Sequence, residues 1–343
     1  MTKLNNLEKP YIIAEMSGNH NQSLDRAMKI IEAAAETGVD AIKIQTYTAD
    51  TMTIQSNEGI FKINDPNSLW HGETLYDLYQ KAHTPWEWHE PIFKKCKDLQ
   101  IDCFSTPFDD TSVDFLESLN VPAYKIASFE NTHLPLIKKV AQTGKPLIIS
   151  TGMATESEIH DMVTTAKENG NKNLYLLKCT STYPASPKDC NLKTIPQLQS
   201  QFNVDVGLSD HTLGIGVAIA SIALGAKVIE KHFTLSRDEG GVDSAFSMEP
   251  AEMKILVEEV EKAYLALGKV SFGGSKNEEK SKLFRRSIYV VKDIKKGEFL
   301  TKDNIKIIRP GDGLAPKYFE DMLNKKAKKD IKKATPLNLE MIS

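Results

Sequence analysis

The sequence predicts an α/β protein: a closed (β/α)8 barrel of the TIM type, followed by a small second domain. Three observations support this prediction. Short apolar, β-branched segments alternate with amphipathic helical patterns from Tyr11 onward, which is typical of a parallel sheet whose strands are joined by helices. Eight such strand segments can be counted, which favours a closed barrel over an open doubly wound sheet. After Leu267 the alternation stops.

The predicted elements follow one another in a regular order. The strands cover residues 11–15, 41–46, 101–106, 123–127, 146–151, 174–180, 204–210 and 227–232. Helical patterns lie between them at 23–37, 86–99, 111–119, 155–169 and 213–226, with a last one at 250–267. The active site of such a barrel lies at the C-terminal ends of its strands. Polar residues at those ends are therefore the candidates for function.

Composition excludes some functional classes. The chain of 343 residues carries 43 basic and 46 acidic side chains, a net charge of -3, so it has no overall field to attract nucleic acid or an anionic membrane. The apolar run at 11–14 is too short for a signal peptide or a membrane span, and we expect a cytoplasmic protein. The cysteines lack a CxxC spacing, so we expect them to be reduced and structural. They are Cys96, Cys103, Cys179 and Cys190.

One connection is unusually long. After Gln45 the chain continues without a clear element until about residue 85, and this stretch is rich in aromatic residues such as Trp70, Tyr76 and Tyr79. Loops of this length usually have a function. The sequence leaves two alternatives open: a surface insert packed on its own aromatic side chains, or a lid that covers a substrate.

The C-terminal part has a different composition. We assign residues 1–268 to the barrel, 269–284 to a Gly-, Ser- and charge-rich linker, and 285–343 to a small domain of short strands and turns. At about 60 residues this domain is near the lower limit for independent folding. Its lysine cluster predicts a solvated face, because nucleic-acid binding would need interleaved aromatic residues. The lysines are Lys325, Lys326, Lys328, Lys329, Lys332 and Lys333.

Two histidines end neighbouring predicted strands. His211 follows the seventh strand and His232 closes the eighth, with an apolar helical segment between them. Parallel strands joined by a right-handed crossover bring equivalent ends side by side, so the two imidazoles would meet at one rim. Two neutral imidazoles can hold a divalent transition ion and leave positions for water or substrate. The alternative is a pair of satisfied core histidines.

Two lysines lie inside apolar strands. Lys43 and Lys125 each stand between apolar neighbours, and a lysine there must find a counter-charge or shift its pKa. Together with the hydroxyls at the strand ends, they predict a pocket for a phosphate or a phosphate-carboxylate group. The alternative is that each lysine pairs with a barrel carboxylate such as Glu15 or Glu130.

Eight short runs of sequence carry a resemblance to a known family. They are IIAEMSGNHNQS, AIKIQTYTADTM, FSTPF, AYKIASFE, IISTGMAT, CTSTYP, VGLSDHTLG and VIEKHFTL. In this order they resemble the sialic acid synthase family, and the resemblance covers essentially the whole chain. The run from Arg309 to Gly313 resembles the end of that family's small antifreeze-like (SAF, β-clip) domain. The insert LWHGETLYDLYQKAHTPWEWH is similar to the pseudaminic acid branch rather than the N-acetylneuraminate or legionaminate branches.

The resemblance implies an enzyme that condenses phosphoenolpyruvate with an N-acetylated hexose and water, giving a nine-carbon 2-keto acid and phosphate. For this branch the sugar is 2,4-diacetamido-2,4,6-trideoxy-L-altrose. The resemblance also implies a divalent metal on His211 and His232, Mn2+ first, with Mg2+ or Co2+ as alternatives. A domain-swapped homodimer is implied, in which one subunit's tail caps the other's barrel. The remaining alternatives are a synthase for another acetamido sugar and a non-catalytic sugar-phosphate binding protein.

The resemblance assigns individual residues as well. Glu15 or Glu230 would be the general base or proton shuttle, and the motifs do not choose between them. Arg309 corresponds to the arginine that reaches the N-acetyl group, and Ser181 stands where N-acetylneuraminate synthases have Asn, so its reach is shorter. The phosphoenolpyruvate positions are Lys43, Thr106, Lys125, Ser128, Ser150, Ser181 and Ser209. The sugar positions are Glu15, Gln45, Tyr183, Glu230, Asp243 and Arg309.

Overall fold

Eight parallel strands close into a barrel, in the order in which they follow one another in the chain. The computed structural model describes residues 2–66 and 68–343 and divides into two units, Met1–Gly268 and Lys269–Ser343. Met1 and Asn67 lie outside the described residues. The barrel strands are β1 (Tyr11–Glu15), β2 (Ala41–Thr46), β3 (Asp102–Pro107), β4 (Tyr124–Ile126), β5 (Leu147–Ser150), β6 (Leu174–Cys179), β7 (Asp205–Ser209) and β8 (Val228–His232). The predicted fold class is confirmed.

Helices surround the barrel. They are α1 (Leu24–Thr37), α2 (Ala49–Met52), α3 (Leu75–Ala82), α4 (His89–Asp98), α5 (Asp110–Ser118), α6 (Leu134–Gln142), α7 (Glu156–Glu168), α8 (Thr194–Phe202), α9 (Gly216–Ala223) and α10 (Pro250–Leu267). Several begin where a side-chain cap satisfies free backbone N–H groups: Ser23 caps α1, Asp109 caps α5 and Thr155 caps α7.

Two predicted helices differ from the observed ones. The pattern at 86–99 contains a 3-10 turn, Trp86–Trp88, before α4 begins. The pattern at 213–226 is helical only from Gly216 to Ala223, in α9. The carbonyl oxygens of Thr212 and Gly214 accept hydrogen bonds from Lys231, so these residues serve a tertiary contact before the helix begins.

Strand register brings polar residues to one level at the C-terminal end of the barrel. Glu15 is paired with Lys43 on β2 and with His232 on β8, which closes the barrel. Ser209 on β7 is paired with Glu230 on β8 in the same way. Because all strands are parallel, their C-terminal ends lie at one rim. The register therefore places the candidate residues together.

The opposite end of the barrel is filled by apolar side chains. Leu4, in the 3-10 turn Lys3–Asn5, is completely buried among the residues inside the barrel. Its carbonyl oxygen accepts a hydrogen bond of 2.5 Å from the Tyr175 hydroxyl. The Thr2 hydroxyl donates to Asp102 at 2.5 Å. The interior members of this cluster are Tyr11, Ile13, Ala41, Phe104, Ala123, Ile148, Tyr175, Leu177 and Val228.

The second unit has its own small core. Its strands β9 (Ser287–Val290) and β10 (Ile305–Ile308) form an antiparallel pair, and a short helix α11 (Phe319–Met322) follows. Residues predicted as linker include nine in a 3-10 helix, Lys276–Phe284, which begins with a capping box between Ser275 and Glu278. The six clustered lysines are all exposed, as a solvated face requires. Across residues 2–66 and 68–343, none of the helices has both the length and the apolar composition of a membrane span.

Gly207 in β7 leaves no room for a side chain. A Cβ there would lie 2.2 Å from the Val228 carbonyl oxygen and 2.8 Å from the Leu177 Cδ2. We expect Gly207→Ala to lower the free energy of unfolding of the barrel by about 3 kcal/mol, because a backbone carbonyl of the neighbouring strand cannot move aside. Urea unfolding followed by tryptophan fluorescence measures this unit alone, since all 3 tryptophans lie in it.

Gly216→Ala is the matched control for this change. A Cβ at Gly216 would meet no described atom within 4 Å, and alanine favours the start of α9. The control should keep or slightly raise the unfolding midpoint. Equal midpoints for the two variants would contradict the steric explanation.

Candidate active site

One cavity of about 410 Å³ opens at the C-terminal end of the barrel. Thirteen of the fifteen site residues proposed from the sequence line it. They are Glu15, Lys43, Gln45, Lys125, Ser128, Ser150, Ser181, Tyr183, Ser209, His211, Glu230, His232 and Asp243. Thr106 lies just beneath, where its hydroxyl accepts a hydrogen bond of 3.3 Å from Lys43 Nζ. Arg309 lies in the second unit, directly after β10.

The floor of this cavity is a cluster of buried charges. Lys43 Nζ lies 2.6 Å from Glu15 Oε2 and 3.7 Å from Glu230 Oε2. Lys125 Nζ lies 3.9 Å from Glu230 Oε1. The strand lysines thus pair with barrel carboxylates, as the alternative interpretation predicts, and the partners are Glu15 and Glu230. Two positive and two negative groups balance one another, as burial of charge requires.

The two glutamates of the floor differ in acidity. Burial raises the pKa of Glu15 to about 7, and the nearby Glu230 carboxylate adds to this effect. Burial acts on Glu230 in the same sense, but Lys125 and Lys43 outweigh it and hold the pKa of Glu230 below its ordinary value. Carboxyl groups whose environments separate their pKa values can take different roles in proton transfer. Glu15 can therefore exchange a proton near neutral pH while Glu230 stays ionised.

Hydroxyl groups surround Lys125. Its Nζ donates to Ser150 Oγ at 2.6 Å, and burial lowers the pKa of this lysine. Gly152 donates its N–H to Ser128 Oγ at 3.2 Å. A Cβ at Gly152 would lie 2.1 Å from Ser181 Oγ and 2.5 Å from Ser128 Oγ. Glycine at this position therefore lets both serines approach the strand end, where hydroxyl donors can face an anion.

The two histidines meet at the rim. Their ring centroids are 5.3 Å apart. His211 Nδ1 donates to the Thr180 carbonyl at 2.9 Å, and Nε2 has no hydrogen bond to residues 2–66 or 68–343, an arrangement usual for a metal-binding imidazole. His232 Nδ1 is buried without a hydrogen-bond partner among the described residues, and burial followed by the charge of His211 lowers its pKa well below the ordinary value. Two imidazoles of this kind fit a divalent transition ion.

The pair offers two protein ligands. Within the described part of the chain, no group of three or more His, Cys, Asp and Glu side chains has a metal-binding arrangement. Asp243 lies close by, with its Oδ2 at 3.8 Å from His232 Nδ1. An ion held by two imidazoles keeps most of its coordination positions for water or substrate.

A buried ion pair fixes the chain segments that carry these histidines. Lys231 Nζ lies 2.9 Å from Asp210 Oδ2 and donates to the Thr212 carbonyl at 2.7 Å. Asp210 precedes His211 and Lys231 precedes His232. Both charged side chains are 1% exposed. The contact links the ends of β7 and β8 behind the imidazoles.

The sugar-side candidates form a second hydrogen-bonded group. Gln45 Nε2 donates to Glu15 Oε1 at 3.2 Å and to Ser17 Oγ at 3.1 Å. The Ser17 hydroxyl donates in turn to Asp243, and burial raises the pKa of that carboxyl. Tyr183 packs on His211 with ring centroids 4.5 Å apart. This group continues the floor toward the cavity mouth.

The long insert also contributes to the cavity. It contains α2, a 3-10 turn at Gly59–Phe61 and α3, and its apolar side chains line the same space as the charged floor. Trp70 Nε1 donates to the Val242 carbonyl at 3.0 Å, across to the loop after β8. The insert therefore lines the cavity, which favours the second alternative, an insert placed over the site, over a surface insert packed only on its own aromatic side chains.

The cavity also contains polar residues that the sequence did not single out as site residues. Glu130 follows Ser128 in a 3-10 turn; its Oε2 is buried without a hydrogen-bond partner in the described chain, and burial raises its pKa to about 7. Its position two residues beyond a strand-end hydroxyl was an available signal. Ser17 and Cys179 line the cavity as well. All four cysteines are free, as expected, but Cys179 lies at the site, with its Sγ 4.0 Å from His211 Nδ1.

Comparison with known proteins agrees with this architecture. The NeuB family model matches residues 30–272, and the SAF domain model matches residues 285–343. A pseudaminic acid synthase of Campylobacter jejuni is 46% identical over 95% of this chain and 94% of its own length. An N,N'-diacetyllegionaminic acid synthase of the same species is 38% identical over 95% of this chain and 98% of its own.

A solved structure extends the agreement to three dimensions. The crystal structure of an N-acetylneuraminic acid synthetase from Leptospira borgpetersenii superposes with a TM-score of 0.72 at 30% identity, covering 80% of this chain and 90% of that one. The family model covers most of the barrel, and the relatives cover nearly the whole chain. The chain therefore belongs to the NeuB family, the sialic acid synthase family that its motifs resemble, and ends in a SAF domain.

Proposed function

We propose that this chain is a pseudaminic acid synthase. It condenses phosphoenolpyruvate with 2,4-diacetamido-2,4,6-trideoxy-L-altrose and water to give pseudaminate and phosphate. The observation that carries the proposal is the buried floor of two lysines and two glutamates beside a histidine pair, in a chain 46% identical to a pseudaminic acid synthase. The identity of 46% to a pseudaminic acid synthase, against 38% to an N,N'-diacetyllegionaminic acid synthase, supports the choice of this branch.

Phosphoenolpyruvate would bind at the lysine end of the floor. Lys43 and Lys125 offer two cationic groups, and the hydroxyls of Thr106 and Ser150 lie 3.3 and 2.6 Å from their Nζ atoms. Donors of this kind can follow the negative charge as it moves onto the departing phosphate. The other proposed contacts are Ser128, Ser181 and Ser209.

Charge balance supports a metal at the histidine pair. Glu15 and Glu230 already neutralise the two lysines, so phosphoenolpyruvate would bring uncompensated negative charge into a buried site. A divalent ion on His211 and His232, Mn2+ in our proposal with Mg2+ or Co2+ as alternatives, supplies positive charge and Lewis acidity toward the aldehyde oxygen when it is bound. The role of the protein is to hold both imidazoles with free nitrogens at the rim.

The reaction requires movement of two protons. C3 of phosphoenolpyruvate forms a bond to C1 of the open-chain aldehyde, and the aldehyde oxygen gains a proton. Water adds at C2 and gives up one proton, which balances the proton gained by the aldehyde oxygen. The bond from C2 to the bridging oxygen then breaks, the C2 hydroxyl becomes the keto group, and phosphate leaves with the bridging oxygen and the second proton. We assign the proton shuttle to Glu15, because burial raises its pKa to about 7, and the role of a fixed anion to Glu230.

The acceptor sugar would lie above the floor. Gln45, Tyr183 and Asp243 provide polar contacts at the cavity mouth. Arg309 is proposed to reach the N-acetyl group from a second subunit, in a homodimer whose small domains cap the partner barrels.

A panel of sugars tests the proposed function. With phosphoenolpyruvate and Mn2+, we expect phosphate release with 2,4-diacetamido-2,4,6-trideoxy-L-altrose to exceed that with N-acetylmannosamine by about 100-fold in kcat/KM, the scale on which a shaped pocket discriminates related ligands. Faster release with N-acetylmannosamine or with the legionaminate precursor would assign the chain to another branch. Binding of phosphoenolpyruvate without release for any sugar would indicate a binding protein.

The difference in pKa between Glu15 and Glu230 predicts that activity depends on pH. Glu15 accepts a proton only when ionised, and its pKa is raised to about 7, so kcat/KM should fall as the pH falls through 7. We expect Glu15→Gln to lower kcat about 100-fold and to remove this limb of the pH profile. Glu230→Gln should lower activity and keep the limb.

Glu130→Gln is the matched control for the pH profile, because the pKa of this carboxyl is also raised to about 7. If the decrease of kcat/KM below pH 7 disappeared in Glu130→Gln and remained in Glu15→Gln, the proton shuttle would be Glu130 and the assignment to Glu15 would be wrong.

Metal removal gives a separate test. After chelation and dialysis we expect phosphate release to fall by about 100-fold and to return with added Mn2+. His211→Ala and His232→Ala should show no Mn2+ binding by calorimetry while their thermal unfolding stays cooperative. His160→Ala on the exposed face of α7 is the control and should bind Mn2+ normally. Full activity in the metal-free protein would refute the histidine site.

A further inference from the structure

The cavity has two ends of different chemistry. The floor is charged, whereas the insert lines the cavity with Tyr47, Tyr79, Ala82 and five further side chains that we call the apolar wall. They are Met52, Ile63, Trp70, Leu75 and Leu78. Four of the five are only partly buried, so they leave apolar surface at the cavity. Apolar surface in an otherwise polar site usually marks the place where an apolar part of a ligand binds.

The apolar wall is anchored to the barrel rim. Gln22 Nε2 donates to the carbonyls of Lys81, in the last turn of α3, and of His83, directly after it, at 3.0 and 2.6 Å. Gly18 permits close packing of this helix, since a Cβ there would lie 3.1 Å from Ala82 Cα. These contacts hold α3 against the loop after β1. The wall is therefore formed before a sugar arrives.

Contacts on the other side hold the wall in the same way. The single N–H donor of the Trp70 ring is used by the Val242 carbonyl, so this ring presents only apolar surface to the cavity. Beside the wall, Tyr47 contacts Tyr79 and Phe108 edge to face, with ring centroids 5.9 and 5.0 Å apart. Apart from the Trp70 N–H, which is already used, the five wall side chains have no hydrogen-bond donor for a sugar hydroxyl; the hydroxyls of Tyr47 and Tyr79 belong to neighbouring lining residues.

The proposed substrate matches this division. Its C1 must reach phosphoenolpyruvate on the floor, so C6, at the other end of the sugar chain, faces the mouth and the insert. In a 6-deoxy sugar C6 is a methyl group, and the acetamido groups end in methyls too. We propose that the apolar wall is the specificity determinant that selects a 6-deoxy sugar over the same sugar with a 6-hydroxyl. This inference rests on the proposed function.

The size of the effect follows from the chemistry. A hydroxyl placed against Leu75 or Met52 would lose its bonds to water without replacement. An apolar pocket discriminates against one added hydroxyl by about 100-fold. The wild-type enzyme should therefore favour the 2,4-diacetamido-6-deoxy sugar over its 6-hydroxy counterpart by about 100-fold in kcat/KM.

Two substitutions in the wall test this inference in the full-length enzyme with Mn2+. We expect Leu75→Ser and Met52→Thr to reduce the 6-deoxy preference by about 10-fold, mainly through a higher KM for the 6-deoxy sugar. The KM for phosphoenolpyruvate should stay unchanged, which also reports on folding. Leu265→Ser is the control, because this helical leucine is 70% exposed on α10 and does not line the cavity.

The outcomes separate the two proposals. If the wild-type enzyme releases phosphate with neither sugar, the proposed function fails. If it turns over the 6-deoxy sugar but both wall variants keep the wild-type preference, the function stands and the wall is not the determinant. A preference that falls equally in Leu265→Ser would also overturn the assignment.

Discussion

Two lysines and two glutamates from four barrel strands share one buried space, and this balance of charge constrains the rest of the molecule. A charged group at this depth needs a partner within a few ångströms, and loss of one partner costs about 3–5 kcal/mol. Strand register supplies the required precision, because Glu15 is paired with Lys43 on the next strand. The same backbone hydrogen bonds between strands thus close the barrel and position the charged groups of the floor. The four groups can respond to an entering anion without rearrangement of the backbone.

The histidine pair depends on contacts outside the barrel. Lys231 and His232 are consecutive in β8, so their side chains face opposite sides of the sheet. The imidazole faces the cavity, while the ammonium group is buried among the carbonyls of the β7–α9 connection. Asp210 completes that environment. The geometry of the rim is therefore maintained by groups that do not line the cavity, in the way that outer partners orient the ligands of metal sites.

The sequence was informative where local pattern decides structure. Apolar runs and amphipathic helical patterns located the eight strands and most helices, and the parallel order brought the strand-end residues to one rim. Local pattern named Glu130 only as a possible counter-charge for a strand lysine and did not establish that it lines the cavity, because that depends on its burial in the turn after β4. Nor could it decide the position of the insert, since the Trp70 contact joins residues 172 positions apart. The early start predicted for α9 failed for the same reason: Lys231 uses the preceding carbonyls.

The apolar wall is supplied by one continuous part of the chain, between β2 and α4, whereas the floor is assembled from strands throughout the barrel. A connection between elements can change in length and sequence with little effect on the register of a sheet. Mutation can therefore alter the apolar wall while the charged groups of the floor stay in place. In evolutionary terms the two halves of the site are separable, and under the proposed function acceptor preference can diverge among proteins that retain the same donor chemistry.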